Sequence, residues 1–280
     1  MNLRFGTVGA PQGTPKSGTT AAIEYIRELG LDAFEIAWVR SVRVSDEACL
    51  EMKEHAARHD VWLSVHAPYF INLNSQTAEK MMASDERLLA AARKGYLAGA
   101  ADIIFHPGSY HGQLPERVYQ RAREKLTELQ GILRDEGVEV TLRPETMGKG
   151  AMFGSLEEVV RLSKEVEGVA PCIDVAHLHA RRGDGGFNSY GEFAEMFQLI
   201  GRELGPAGLK SMHFHISGIE YTEAGERNHL MLENSDLDWR AFLQACIDFD
   251  VQGVIVCESP TQEDDALLIQ ATFAELAQDK

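Results

Sequence analysis

Eight short apolar runs recur along this chain, each followed by a longer stretch of helical character: LRFGTVG (3–9), DAFEIAWV (32–39), VWLSVHAP (61–68), ADIIFHPG (101–108), VEVTLRPE (138–145), VAPCIDVAH (169–177), KSMHFHIS (210–217) and VQGVIVCES (251–259). Such near-continuous apolar and β-branched composition belongs to strands covered on both faces, as in parallel sheets flanked by helices. Between them, residues 115–136 carry Val118, Ala122, Leu126, Leu129 and Leu133 at spacings of three and four, a helical stripe. Ser155 with Glu158 makes a capping-box signature and Thr261 with Asp264 a weaker relative, while Gly30, Gly99 and Gly137 stand where helices would end. No linker or composition break divides the 280 residues. The expected fold is therefore α/β, a single (β/α)8 TIM barrel over residues 1–280. A doubly wound open sheet is the alternative, but no GxGxxG follows the first run.

Composition bounds the rest. No apolar run approaches the ~18–20 residues of a membrane helix, and MNLRFGTVGA lacks the apolar core of a secretory signal. The expectation is a cytoplasmic protein with no membrane partner; no protein partner is inferred. The four cysteines stand singly in apolar surroundings, which predicts reduced core thiols. The net charge of −16 opposes broad attraction to nucleic acid, unless carboxylates face cations that reverse the local field.

PCIDVAH (171–177) shows where chemistry enters: an apolar run ends on Asp174, with His177 three residues on. The other runs end alike, on His66, His106, Glu145, His213 with His215, and Glu258. In a barrel these positions share the C-terminal face, where active sites are built. Singly, each is better read as a core histidine or a paired carboxylate. Gathered on one face, unpaired, they would cost several kcal/mol each to desolvate. Divalent cations are the economical answer, and a mixed His and carboxylate set suits Zn2+, Mn2+ or Fe2+. Seven or more ligands are too many for one catalytic ion and suit two or three.

At these residues the chain resembles endonuclease IV, the abasic-site endonucleases of the xylose-isomerase-like barrel superfamily. The matching elements are HAPYFINL (66–73), FHPGSY (105–110), PET (144–146), CIDVAH (172–177), HIS (215–217) and ESP (258–260). The resemblance implies a trinuclear zinc cluster that hydrolyses the backbone of damaged double-stranded DNA at abasic sites. Its ligands would be His66, His106, Glu145, Asp174, His177, His215 and Glu258, with Glu145 bridging two metals and activating the attacking water. His213 would be a supporting or a core residue. Tyr69 matches a tyrosine that enters the DNA. The family's third metal takes an Asp and a His two residues apart, where this chain has GERNHLML. Glu226 and Asn228 fill those positions, with His229 one step later. Either Glu226 and His229 bind through a shifted loop, or the third site is missing.

The loop HLHARRGDGGFNSY adds His179, Arg181 and Arg182 beside the expected cluster, and arginine forks match phosphate geometry, although a solvated loop charge is an equal reading. Arg40 and Arg43 lie in the loop after the second run. Clustered ions would lower the pKa of water and clamp the oxygens of an in-line displacement. The alternative is a sugar isomerase or epimerase of the same superfamily, using Glu145, Asp174, His215 and Glu258 around one ion; His66 and His106 would then be spare. A protein with purely structural metals ranks last, because no cysteine joins the set. His55 and His59, four apart on a helix, read as a solvated face beside Glu54 and Arg58.

Overall fold

In the computed structural model, residues 3–278 are described. Eight parallel strands form one sheet: β1 (Leu3–Val8), β2 (Ala33–Ala37), β3 (Trp62–His66), β4 (Asp102–Phe105), β5 (Thr141–Pro144), β6 (Cys172–Asp174), β7 (Met212–Ile216) and β10 (Gly253–Cys257). Their order is β5-β4-β3-β2-β1-β10-β7-β6. The two ends of that order meet through short parallel bridges, Leu142 with Val169 and Glu145 with Cys172. The Thr146 N–H donates to Cys172 O at 3.0 Å across the same seam. This is the expected (β/α)8 barrel.

The outer layer is α1 (Thr19–Glu28), α2 (Asp46–His59), α3 (Ala78–Leu97), α4 (Pro115–Asp135), α5 (Leu156–Glu165), α7 (Tyr190–Gly208), α8 (Trp239–Asp248) and α9 (Glu263–Gln278). Helix α4 buries Val118, Ala122, Leu126, Leu129 and Leu133, the stripe visible in the sequence. The Ser155–Glu158 capping box forms in full. Thr261 does not cap α9; its hydroxyl pairs with that of Ser259. Among the described residues, no helix is long and apolar enough to cross a membrane. All four cysteines are free and buried.

Two elements depart from the alternating plan. A short helix, α6 (Val175–Ala180), starts directly at the end of β6, and a hairpin of β8 (Gly218–Thr222) and β9 (Gly225–Leu230) follows β7. The run expected at 169–177 therefore yields a strand of three residues. Asp174 ends it by capping α6: its Oδ1 accepts the His177 N–H at 2.7 Å.

The barrel interior is polar near its axis. Arg143 Nε meets Asp102 Oδ1 at 2.6 Å, and the Arg143 guanidinium also donates to Pro171 O and Ser211 O at 2.9 and 2.8 Å. Asp102 Oδ2 lies 3.1 Å from His213 Nδ1, and His213 Nε2 lies 3.0 Å from Glu35 Oε2, which also accepts from Ser64 Oγ at 2.7 Å. All five residues of this chain of contacts are buried. Each charge inside it meets an opposite charge or a donor, as burial away from water demands. Asp102 opens β4, so the chain runs from the base of the barrel toward its mouth.

Candidate metal centre

At the mouth, Glu145 stands where β5 ends and its two oxygens serve different neighbours. Oε2 lies 3.3 Å from His66 Nε2 and 3.3 Å from His106 Nε2. Oε1 lies 3.5 Å from His215 Nδ1, which is 3.6 Å from Glu258 Oε1. Zinc holds N and O ligands at about 2.0–2.2 Å, so two corners of its tetrahedron are about 3.3–3.5 Å apart. The donor atoms of His66, His106 and Glu145 lie within 4.8 Å of one another, as do those of Glu145, Asp174, His215 and Glu258. Two cation sites sharing Glu145 fit these distances.

Hydrogen bonding sorts the ring nitrogens. His66 Nδ1 lies 2.8 Å from Ala67 O, so its N–H is used there and Nε2 presents a lone pair to the mouth. His177 Nδ1 does the same with Thr146 O at 2.9 Å. His215 Nε2 sits 3.0 Å from Glu35 Oε1, an ion-pair contact without hydrogen-bond alignment, and Nδ1 faces Glu145 and Glu258. Carboxylate or carbonyl partners of this kind orient metal-binding imidazoles. Glu145 Oε1, Asp174 Oδ2 and His215 Nδ1 are buried with no hydrogen-bond partner. Orphaned acceptors pointing at one another are repulsive, and a shared cation removes the repulsion. The donor chemistry fits divalent transition ions.

The same crowding shifts the titrations. Burial raises the Glu145 carboxyl, but the imidazoles of His106 and His215 outweigh it and hold the group well below the usual carboxylate range. Burial pushes Asp174 up, with Glu145 and Glu258 adding to it against His177. Burial lowers the imidazoles of His177 and His215, yet Asp174 with Glu145 lifts His177 and the Cys172 sulfur with the carboxylates of Glu35, Glu258 and Glu145 lifts His215, both well above 6.5.

The hairpin resolves the irregular GERNH segment. Tyr221 pairs with Glu226 and Glu220 with Asn228, so Arg227 is the extra residue of a β-bulge. Side chains alternate along a strand, and residues three apart would face opposite ways; one bulge restores them to the same face. Glu226 and His229 thereby both turn to His177. His177 Nε2 lies 3.5 Å from Glu226 Oε2 and 3.4 Å from His229 Nε2. Asn228 faces away, donating to Glu220 Oε2 at 2.9 Å. A third donor set thus forms: the donor atoms of His177 and His229 gather within 4.8 Å of one another together with that of Asp174, with Glu226 against His177 alone, and Asn228 has no part in it.

Other expected residues stand elsewhere. The Arg181 guanidinium is committed to the carbonyls of Met147, Lys149 and Met152 at 2.8–2.9 Å, fastening the loop after β5. Arg182 is on the surface beside Asp184. His179 ties Gly186 O to Asp236. Arg40 and Arg43 are not fully buried and lie in the loop after β2. Tyr69 lies at the rim, its ring 5.1 Å from that of His66 and 5.0 Å from that of His106. Burial and the carboxylates of Glu258 and Glu145 push its hydroxyl up to about 12, so it is a neutral donor. Beside it Phe70 is 65% exposed. Cys172 comes within 4.8 Å of the donor atoms of His213 and His215, but burial pushes its thiol far up and keeps it neutral. Glu35 lies outside the set expected from the sequence, although a carboxylate inside the run AFEIA is its signal.

Comparison with known proteins bears on the fold and the family. An uncharacterized protein of Methanocaldococcus jannaschii is 36% identical over 274 residues, 98% of both chains. A probable endonuclease 4 of a Geobacillus species is 30% identical over 215 residues, covering 75% of this chain and 61% of that protein. Two solved structures overlay almost equally well. They are a D-tagatose 3-epimerase-like protein (TM-score 0.74, 18% identity, 99% of both chains) and endonuclease IV from Thermus thermophilus (TM-score 0.73, 22% identity, 99% of this chain and 100% of that one). At such identities the likeness speaks for the fold alone. The family model for the xylose isomerase-like TIM barrel matches residues 23–277, and the chain belongs to that family.

Proposed function

We propose that this protein is a metal-dependent phosphodiesterase that cleaves the backbone of double-stranded DNA at abasic sites. The observation that carries the reading is the third donor set. A single-ion enzyme has no use for His177 and His229 gathering with Asp174, and for Glu226 3.5 Å from His177, beside two sites that already share Glu145. His66, His106 and Glu145 would hold one ion; Glu145, Asp174, His215 and Glu258 a second; His177, Glu226 and His229 a third. Zinc suits all three sets, and manganese or iron(II) is compatible with the carboxylate-rich second. When bound, the ions supply Lewis-acid activation of water and neutralise charge on the phosphodiester oxygens.

The chain's own residues would do the rest. Glu145, ionised and acceptor-only, would hold the two donor sets in register, one on each oxygen, and so position the attacking water between them. Tyr69 and Phe70 offer ring faces at the rim against which unstacked bases can pack. Repulsion between the net charge of −16 and DNA is offset locally by the ions themselves. Arg181 is not assigned to phosphate, because its donors are spent on carbonyls. A cytoplasmic location, in keeping with four reduced thiols, belongs to the same proposal.

Sugar epimerisation is the second reading, favoured by the tetrad Glu145, Asp174, His215 and Glu258 gathered around a single point. The test incubates zinc- or manganese-loaded protein with a duplex carrying one abasic site and, separately, with ketohexoses. Nicking 5′ to the lesion that is lost in Asp174→Ala supports the phosphodiesterase. Epimerised sugar with intact duplex overturns it.

A further inference from the structure

A second gathering of imidazole and carboxylate lies outside the barrel, between α1 and α2. His55 and His59, one helical turn apart, present their rings on the same face of α2, with centroids 6.4 Å apart and planes inclined by 20°. Glu24 reaches across from α1. Its Oε1 lies 2.7 Å from His55 Nδ1 and 3.8 Å from His59 Nε2. The donor atoms of all three residues fall within 4.8 Å of one another.

His55 Nδ1 is buried and has no hydrogen-bond partner. Its contact with Glu24 therefore lacks the alignment of an N–H···O bond, although the distance would allow one. At 2.7 Å the two atoms stand closer than corners of a zinc tetrahedron, so an ion would part them slightly, a movement open to the half-exposed Glu24 side chain. The side chains are 26–41% exposed, which leaves room for water at the remaining corners. The last turn of α2 leads through Asp60 into the start of β3, so this cluster lies toward the closed base of the barrel. It shares no residue with the mouth.

We propose that Glu24, His55 and His59 form a site for one divalent transition ion, of which zinc is the probe to use, and that the ion staples α1 to the last turn of α2. Two imidazoles and a carboxylate are a competent set for zinc, nickel or copper(II). A helix-borne histidine pair with i,i+4 spacing chelates from one face without distorting the helix, and Glu24 supplies the link to the neighbouring helix. Because the ion binds the folded arrangement and not the separated helices, it raises stability in proportion to its occupancy.

The experiment strips the full-length protein of metal, reloads it with zinc and counts ions per chain in wild type and in His55→Ala/His59→Ala. The proposal expects one fewer ion in the variant, unchanged loading of the mouth, and a smaller rise of the melting midpoint on adding zinc. Melting in chelator should be the same for both, since neither side chain belongs to the core. Glu24→Gln, which keeps the shape, should weaken that one ion at least tenfold and serves if the double variant folds poorly. Equal ion counts and equal zinc-dependent stabilisation in wild type and variants would overturn the site.

Discussion

His177 Nε2 and His229 Nε2 face each other at 3.4 Å, while the Nδ1 of His177 turns to Thr146 O and that of His229 to Glu258 O. With both protons directed at carbonyls, two lone pairs point into the same space. A cation between them makes that arrangement favourable, and Glu226 3.5 Å from His177 Nε2 strengthens the case for one. His229→Ala should therefore lower the ion count at the mouth by one and reduce nicking of an abasic duplex by about 10–100-fold or more. Unchanged stoichiometry would show that the hairpin holds no metal.

Gly148 makes the approach of the hairpin feasible. A Cβ there would fall 2.6 Å from the Glu226 Cβ and Oε2 and 3.0 Å from His177 Cδ2, while the Gly148 carbonyl accepts the Glu226 N–H at 2.8 Å. Gly148→Ala should push Glu226 out of place and selectively weaken the third ion, leaving global stability nearly intact. Metal titration and a denaturant melt on the same variant check both halves.

Glu35 acts through His215. Its Oε1 holds the Nε2 side of that ring, and burial opposed by the charges of His215 and His213 leaves Glu35 ionised far below its usual range. Glu35→Gln should lower affinity for the ion at the Glu145–Asp174–His215–Glu258 site by about 10–100-fold, with His66 and His106 still able to bind. Equal loss at both sites would mean general disruption of the barrel.

Deeper in the barrel, Arg143→Met removes the guanidinium from Asp102 and leaves it the contact with His213 Nδ1. Removing one member of a buried ion network costs about 3–5 kcal/mol, a large part of a typical domain's roughly 5–15 kcal/mol. Urea denaturation should register that loss, and a change below about 1 kcal/mol would contradict the role assigned to the network.

Acidity should act oppositely on the stripped and the loaded protein. His177 and His215 have folded-state pKa values above 6.5, and Asp174 lies above its ordinary value of 3.8. For raised values, stability is fully present below the unfolded pKa and is lost as pH rises through the folded one. Metal-free protein should therefore become less stable as pH rises above 6.5. The ions need deprotonated ligands, so the loaded protein should not show this fall, and binding zinc near neutral pH should release protons. Melting curves in chelator and in zinc, with calorimetry in buffers of different ionisation heat, provide the check.

Much of this was legible in the chain itself. The eight apolar runs all became barrel strands because burial on both faces demands just such composition. Six consecutive barrel strands carry a histidine or carboxylate at or beside their C-terminal ends, the rim where a barrel exposes its strand ends. The hairpin was less legible. Glu226 and His229, three apart, have the wrong parity for one strand face, and the bulge at Arg227 that corrects it depends on pairing with Glu220 and Tyr221. Arg181 misled for a similar reason. A loop arginine looks free until the carbonyls of Met147, Lys149 and Met152 are seen around it. Glu24 joins His55 and His59 only through helix packing, so their spacing alone offers no reason to read a site.

The most direct test of the central claim is a crystal structure of zinc-loaded protein with anomalous data at the zinc edge. Three ions are expected at the barrel mouth: one on His66, His106 and Glu145, one on Glu145, Asp174, His215 and Glu258, and one on His177, Glu226 and His229. A single ion on Glu145, Asp174, His215 and Glu258, with His66, His106 and His229 free of metal, would contradict it.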